Sequence, residues 1–316
     1  IPVQVVPRWV NPLEAPHNAV GDGVTDDNIE LLSADTAAGA NGVTYIEPGK
    51  TFLIDSEAAD PTLVSCLKID NGGLISVESG MTLTVNGPID AGLYQIFTGA
   101  GTVVLGDKVK TVYPEWFGAV GDSNGAYQNG TDDGAAINKA IQACKSASTG
   151  SGNITALTTL NTELVFSRKI YRTTVELDID RSGLVVRFNG AVIQNEVPVN
   201  DAAGTAVINI NAQQVTLHQP VIRDPDFALG LHQTRHATSV FIGEGVSSAG
   251  SPSTHVNQIS IYDLRVLGGS YGLYIDGLSG GQFIGGRMDF CNKAGIYCVN
   301  GNTVKFVNYY SSQNAH

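Results

Sequence analysis

Acidic and basic side chains crowd one stretch of the sequence, "VIRDPDFALGLHQTRHATSVFIGEG". Asp224 and Asp226 flank Pro225, which favours extended or turn geometry in its neighbourhood, and Glu244 follows within the same stretch. Glycoside hydrolysis uses two carboxylates, about 5–5.5 Å apart for retention of configuration or about 6.5–9.5 Å for inversion. We therefore predict that Asp224 or Asp226 pairs with Glu244 as catalytic acid and base. The alternative is a surface loop whose acids pair with nearby arginines, which contributes little stability.

Four further residues have side chains suited to contact a sugar. Arg235 and His236 lie in the same stretch as the acids, and we predict that they bind substrate. Tyr274 and Tyr297 each lie between apolar residues one repeat apart, so we expect them to stack on one outer face. Aromatic faces suit sugar rings, but an aromatic ladder without a ligand, or a contact with a neighbouring chain, would also explain the two tyrosines.

A second acidic stretch, "YPEWFGAVGDSNGAYQNGTDD", looks at first like an active site or a metal site. It departs from the calcium-loop pattern at the fifth and sixth positions, and no His spacing typical of metal sites occurs in the chain. We predict that these acids make turns and start a helix, with Thr131 or Asp132 as its N-cap, and we predict no metal and no cofactor. The acids are Glu115, Asp122, Asp132 and Asp133.

The helix that follows Thr131 has one apolar side. Ile137, Ile141 and Cys144 recur at i, i+4 and i+7, which predicts an amphipathic helix covering something hydrophobic. The same order of Ala-Val-Gly-Asp, Thr-Asp-Asp, helix and two strands occurs earlier, from His17 to Asp55. The sequence therefore contains two copies of one module, and we interpret the acids of the first copy in the same structural way.

From Val256 the chain repeats with a period in the low twenties, as one turn of a parallel β-solenoid requires. We predict about six or seven turns in residues 160–316, and an ion-pair ladder between Arg265 and Asp289, which are 24 residues apart. The predicted matches are Ile259 with Phe283, Leu264 with Met288, Val266 with Phe290, and Leu273 with Ile296.

Composition and charge narrow the possible partners. The 316 residues include 37 glycines, as a chain rich in strands and tight turns requires, and the net charge is -12. Because no basic stripe exists to displace phosphate counterions, we do not expect a nucleic-acid partner. No apolar run approaches the roughly 20 residues of a membrane span, so we expect no insertion into a membrane. The four cysteines lack metal-site spacing and are predicted to be free thiols in a protein that folds in a reducing cytoplasm.

The motif "YPEWFGAVGD…GTDDGAAINKAIQAC" resembles the entry to the pectate-lyase-like right-handed β-helix superfamily, in the version found in bacteriophage tailspikes. The resemblance implies an all-β fold: a right-handed parallel β-helix with a short N-terminal capping helix, preceded by a small β-rich domain. We expect the β-rich domain in residues 1–111, the entry motif and helix in 112–160, and the coils in 161–316, truncated at the C-terminal end.

The resemblance also implies a function. It predicts a homotrimer in the virion tail, made in the host cytoplasm and acting outside the cell. There it would bind and hydrolyse a bacterial surface polysaccharide, either capsule or lipopolysaccharide O-antigen, alongside other tail proteins. The alternatives are a non-catalytic receptor-binding or structural tail protein of the same fold, or a polysaccharide lyase.

Overall fold

The computed structural model describes residues 8–55, 60–146, 162–198, 205–225, 237–243 and 256–312. Strands predominate in these ranges, which hold two α-helices and one 3-10 turn, Pro114–Phe117. Two compact units divide the chain: Ile1–Gly118 with Gln142–Lys145, and Ala119–Ile141 with Ser146–His316.

The first unit contains the helix α1 (Asn28–Ala38) and short strands. In chain order these strands are β1 (Trp9–Val10), β2 (Asp22–Asp26), β3 (Val43–Ile46), β4 (Thr51–Ile54), β5 (Thr62–Leu63), β6 (Cys66–Ile69), β7 (Leu74–Val77), β8 (Thr82–Val85), β9 (Ile89–Asp90), β10 (Phe97–Thr98), β11 (Thr102–Leu105) and β12 (Thr111–Val112).

The strands of this unit form three parallel sheets, which the chain visits in turn. The strand orders are β1-β3-β6-β9, β2-β4-β7-β10 and β5-β8-β11. Phe52 pairs with Ile75 and Ile75 with Phe97, so apolar residues of successive strands stack on one buried row. The region predicted only as β-rich is thus built from the same kind of repeat as the rest of the chain.

The regular structure of the second unit begins with the helix α2 (Gly134–Ala143), which belongs to this unit as far as Ile141. Its strands are β13 (Glu163–Val165), β14 (Ile170–Thr173), β15 (Leu177–Ile179), β16 (Val185–Arg187), β17 (Val192–Asn195), β18 (Ala206–Ile210), β19 (Thr216–His218), β20 (Val221–Arg223), β21 (Thr238–Gly243), β22 (Val256–Leu267), β23 (Tyr271–Asp276), β24 (Leu278–Asp289), β25 (Ala294–Val299) and β26 (Asn302–Ser312).

These strands also pair in parallel, in three rows. The first row runs β13-β16-β19-β22-β24-β26, and the second runs β14-β17-β20-β22-β24-β26. The long strands β22, β24 and β26 therefore serve both rows. The third row runs β15-β18-β21-β23-β25. Counted along the first row, the described chain reaches six successive levels.

Aligned apolar side chains fill the space between the rows. Leu217 pairs with Ile261, Ile261 with Phe283, and Phe283 with Phe306. The Phe283 and Phe306 rings stack with centroids 5.0 Å apart. Each fully buried side chain of this size contributes about 1.5–3 kcal/mol to folding. Stacking on successive strands thus stabilises this unit most where the side chains are fully buried, as Leu217, Ile261 and Phe283 are.

The predicted period of 24 residues is wrong by two at three of the four positions. Strand β22 pairs with β24 so that Ile261 lies beside Phe283, and Val266 beside Met288. Because side chains alternate in direction along a strand, a shift of two residues keeps every apolar side chain on its predicted face. The hydrophobic pattern therefore cannot detect the error. The fourth match, Leu273 with Ile296, is confirmed.

Candidate functional site

The acids of the entry motif are hydrogen-bond acceptors for its own backbone. The buried Asp133 carboxylate accepts the N–H of Val120 at 2.6 Å and of Gly121 at 3.1 Å. Asp122 accepts the N–H of Thr131 at 2.7 Å, and Asp132 accepts that of Gly134, the first residue of α2, at 3.1 Å. The predicted structural role is therefore supported for the three aspartates by the hydrogen bonds that each one accepts.

Both predicted N-cap candidates are wrong, because α2 begins at Gly134 and the residue directly before it, Asp133, accepts the N–H of Ile137 on its carbonyl at 2.9 Å. Asp132 accepts the first N–H of the helix, whereas the Thr131 hydroxyl donates to the Asp122 carboxylate at 3.1 Å and does not reach the helix. Burial raises the pKa of Asp133 to about 6, and the N–H and hydroxyl of Thr131 lower the pKa of Asp122. Both carboxylates serve the turn that leads into α2.

Of the three predicted catalytic acids, Asp224 alone lies within the described residues. Asp224 lies directly after β20, is 1% exposed, and packs beneath Gly268, where an added Cβ would approach the Asp224 Cβ to 2.6 Å. Its backbone N–H donates to the carbonyl of Leu267 at 2.8 Å. Asp226 and Glu244 lie outside the described residues, as do the predicted binding residues Arg235 and His236.

The two predicted tyrosines do lie side by side. Tyr274 on β23 pairs in register with Tyr297 on β25, and their ring centroids are 4.9 Å apart at an angle of 42°. Phe241 on β21 extends this column on the preceding strand, 5.4 Å from Tyr274. The expectation that the two rings share one outer face is confirmed, and Tyr297 is 41% exposed.

A third tyrosine widens this aromatic surface. The Tyr271 ring lies 5.2 Å from Tyr274 in an edge-to-face arrangement and 5.5 Å from Tyr297. The Lys293 ammonium lies 5.3 Å from the centre of the Tyr271 ring, a cation–π distance. The tyrosine platform, as we call Tyr271, Tyr274 and Tyr297, thus offers ring faces, hydroxyl groups and one adjacent cation.

The predicted ion pair between Arg265 and Asp289 is wrong, for the same reason as the period. Arg265 pairs in register with Arg287, and Asp289 lies opposite Leu267. Asp289 instead forms an ion pair with Arg287 on its own strand. It also accepts a hydrogen bond from the Ser312 hydroxyl at 2.5 Å.

The corrected register gathers three arginines around one pocket on the second row of strands. A cavity of about 240 Å³ lies between Arg223 on β20, Arg265 on β22 and Arg287 on β24. Its remaining lining is one acid, Asp289, and apolar residues such as Ile170, Val192, Val221 and Leu267. We call this feature the arginine pocket. The sequence did not predict this pocket, because paired residues on β20 and β22 are separated by more residues of the chain than paired residues on β22 and β24.

A loop closes one side of the arginine pocket. Gly125 lies so close to Arg223 that an added Cβ would be 3.0 Å from Nη1. The same loop is tied to the sheet, because the Ser123 hydroxyl donates to Gln194 at 2.7 Å and the Gln128 N–H donates to Glu196 at 2.7 Å.

A metal site finds no support in the part of the chain that the structure describes. There, no group of three or more His, Cys, Asp or Glu side chains is placed to hold an ion. Within the same ranges no helix is long and apolar enough to cross a membrane. The four cysteines form no disulfide.

Comparison of the chain with known protein families, with curated proteins and with solved structures finds no significant match.

Proposed function

We propose that the chain is part of a bacteriophage tailspike that binds and hydrolyses a bacterial surface polysaccharide. The fold proposed with this function is a right-handed parallel β-helix. Its support is that the chain visits three parallel rows in turn and returns to the first row one level further on. The sequence motif that resembles the tailspike entry supports the specific family.

In this proposal α2 caps the first turn of the second unit. The side-chain amide of Asn138 on α2 donates to the carbonyl of Glu176 at 2.7 Å and accepts the N–H of Asp178 at 3.0 Å. These groups belong to the segment of β15, the terminal strand of the third row. A helix that satisfies polar groups at the edge of a sheet also protects this edge from pairing with other chains.

The observation that carries the proposed function is the tyrosine platform. Three neighbouring rings with one cation beside them stand on paired strands. Because the strands already hold these rings in place, a ligand would lose little binding free energy to the ordering of the surface. Tyrosine combines an apolar face with a hydroxyl group, which suits the alternating C–H and O–H groups of a sugar ring. A repeating glycan could lie along successive strands of this row.

The proposed reaction is hydrolysis by two carboxylates without a metal or cofactor. The candidates remain Glu244 paired with either Asp224 or Asp226. General acid–base catalysis typically contributes about 10²–10⁴-fold to the rate. Asp226→Asn and Glu244→Gln are therefore each expected to reduce the release of reducing ends from host polysaccharide by about this factor.

The binding test uses Tyr297→Ala and, as matched control, Tyr297→Phe. Loss of the ring is expected to weaken binding of host polysaccharide about three- to tenfold, whereas phenylalanine keeps most of the affinity, because the face of the ring makes the contact. Equal binding by both variants and the unchanged protein would refute a role for the platform.

The alternatives give different products. A lyase would release 4,5-unsaturated sugars that absorb in the ultraviolet, and a receptor-binding protein would bind glycan without cleaving it. A structural tail protein would bind no surface glycan. The homotrimer and its association with other tail proteins are likewise proposals, and sedimentation of the full chain tests the first of them.

A further inference from the structure

We propose that the arginine pocket binds the carboxylate of an acidic sugar. This inference rests on the proposed function, because it names the chemical class of glycan that the protein takes. It uses a surface separate from the tyrosine platform, on the second row of strands instead of the third.

The first argument is the uneven distribution of charge. The chain carries 30 acidic and 18 basic residues, so an anion is repelled by the protein as a whole. Three of the 18 cations nevertheless converge on one pocket. Arg265 and Arg287 lie directly beside each other on neighbouring strands, about 4.8 Å apart along the row, where like charges are destabilising. A bound anion would relieve this repulsion.

The second argument concerns the ion-pair and hydrogen-bond partners of the three guanidinium groups. Arg287 is neutralised by Asp289. Arg265 is exposed and forms no ion pair with a described side chain, and the Arg223 Nε is buried without a hydrogen-bond acceptor. An unsatisfied buried donor costs about 1–3 kcal/mol. The pocket therefore holds two cations whose hydrogen-bonding capacity the protein leaves unused.

The third argument concerns the shape of the ligand. A guanidinium group binds a carboxylate through two parallel hydrogen bonds in one plane, and the aliphatic side chains of Val221 and Leu267 offer an apolar wall for sugar C–H groups. At about 240 Å³, the cavity is smaller than the roughly 300 Å³ at which pockets for drug-sized ligands begin. This size favours a single acidic monosaccharide unit over an extended acidic peptide.

The test titrates the full chain with glucuronate and, as matched ligand, with glucose, which carries a neutral hydroxymethyl group in place of the carboxylate. Arginine Nε–H signals in NMR spectra report directly on the pocket. Glucuronate is expected to shift the Arg223 and Arg265 signals saturably at low ionic strength, and glucose is not. Arg265→Gln should weaken glucuronate binding at least about tenfold, since it removes a charge-assisted bidentate contact.

Lys305→Gln provides the matched control variant. Lys305 is an exposed cation on β26 outside the pocket, so its loss changes the net charge equally and should leave glucuronate binding within about twofold. Arg265→Lys separates charge from shape, and it should bind more weakly than the unchanged protein.

Several outcomes would overturn the inference. These are absence of saturable shifts, equal binding of glucose, equal effects of Arg265→Gln and Lys305→Gln, or binding of acetate or of a short glutamate peptide as tight as that of glucuronate. If the host polysaccharide is cleaved but contains no acidic sugar, the inference fails and the proposed function stands. If glucuronate binds in the pocket but no surface polysaccharide is bound, the pocket stands and the proposed function fails.

Discussion

Asp27 and Asp133 hold the same place in two separate copies of one motif. Each carboxylate accepts two N–H groups from a Val-Gly pair earlier in its motif, that of the valine at 2.6 Å and that of the glycine at 3.1 Å. The pair is Val20 and Gly21 for Asp27, and Val120 and Gly121 for Asp133. Each aspartate also starts a helix through its own carbonyl, which accepts an N–H four residues later at 2.9 Å. Two distant parts of the sequence thus make one turn in the same way.

This equivalence predicts that Asp27→Ala and Asp133→Ala both destabilise the protein, with the smaller loss at Asp133 at pH 7, because its removal also relieves the cost of ionising a carboxyl whose pKa burial raises. Each substitution leaves two backbone N–H groups without their acceptor, which costs about 1–3 kcal/mol of unfolding free energy at pH 7. Chemical denaturation followed by circular dichroism measures the loss. Glu14→Ala, at an exposed acid, serves as control and should change stability by less than about 0.5 kcal/mol. A loss at only one of the two aspartates would contradict the equivalence.

The pKa of Asp133 predicts how stability changes with pH. Burial raises this pKa to about 6 in the folded protein from 3.8. Ionisation is thus harder in the folded than in the unfolded chain, and the stability that the protonated carboxyl contributes is present below pH 4. It is lost as the pH rises through 6, by up to about 3 kcal/mol in total.

Asp133→Asn removes this titration and keeps an oxygen that can accept a backbone N–H. The free energy of unfolding, measured in urea at pH 4.5, 6 and 7.5, should therefore fall less with rising pH in this variant than in the unchanged protein. Parallel pH profiles for the two proteins would show that Asp133 ionises freely in the folded state.

The duplicated motif was predictable from sequence because its structure is local. Aspartate, glycine and threonine at fixed offsets define the turn, and the apolar stripe of α2 follows directly, with Ile137 and Ile141 buried as predicted. Each of these features depends on interactions within about 15 residues. Local chemistry of this kind can be read from one sequence.

The arginine pocket was not predictable, since it depends on the exact register of distant strands. Arg265 and Arg287 are 22 residues apart, but Arg223 reaches them only across the long step between β20 and β22. A register error of two residues replaced the pair Arg265–Arg287 with Arg265–Asp289, which turns a site for anions into a neutral ladder. The alternation of apolar residues is compatible with either register, since the two differ by two residues.

The buried ion pair between Arg172 and Glu196 predicts a large loss of stability when its acid is removed. Arg172 Nε lies 2.8 Å from Glu196, whose side chain is 2% exposed and also accepts hydrogen bonds from Gln194 and from the Gln128 N–H. Glu196→Ala would leave Arg172 as an uncompensated charge, with an expected cost of about 3–5 kcal/mol in urea denaturation.

The pair of Glu163 with Arg187 is the matched control for Glu196. Its partners are also 24 residues apart on neighbouring strands and lie 2.7 Å from each other, but their side chains are 33% and 40% exposed. Glu163→Ala should therefore cost no more than about 1 kcal/mol. Similar losses in both variants would mean that burial of the ion pair does not determine its contribution.

The cysteines predict a defined order of chemical modification. Cys298 is exposed, whereas Cys291 is 1% exposed and burial raises the pKa of its thiol to about 12. Only the thiolate reacts, so at pH 8 the folded protein should be alkylated at Cys298 well before Cys291. Mass spectrometry of peptides after timed alkylation gives the order, and Cys298→Ser should abolish the early modification. Rapid modification of Cys291 without denaturant would contradict the packing of β24 against the turn that follows it.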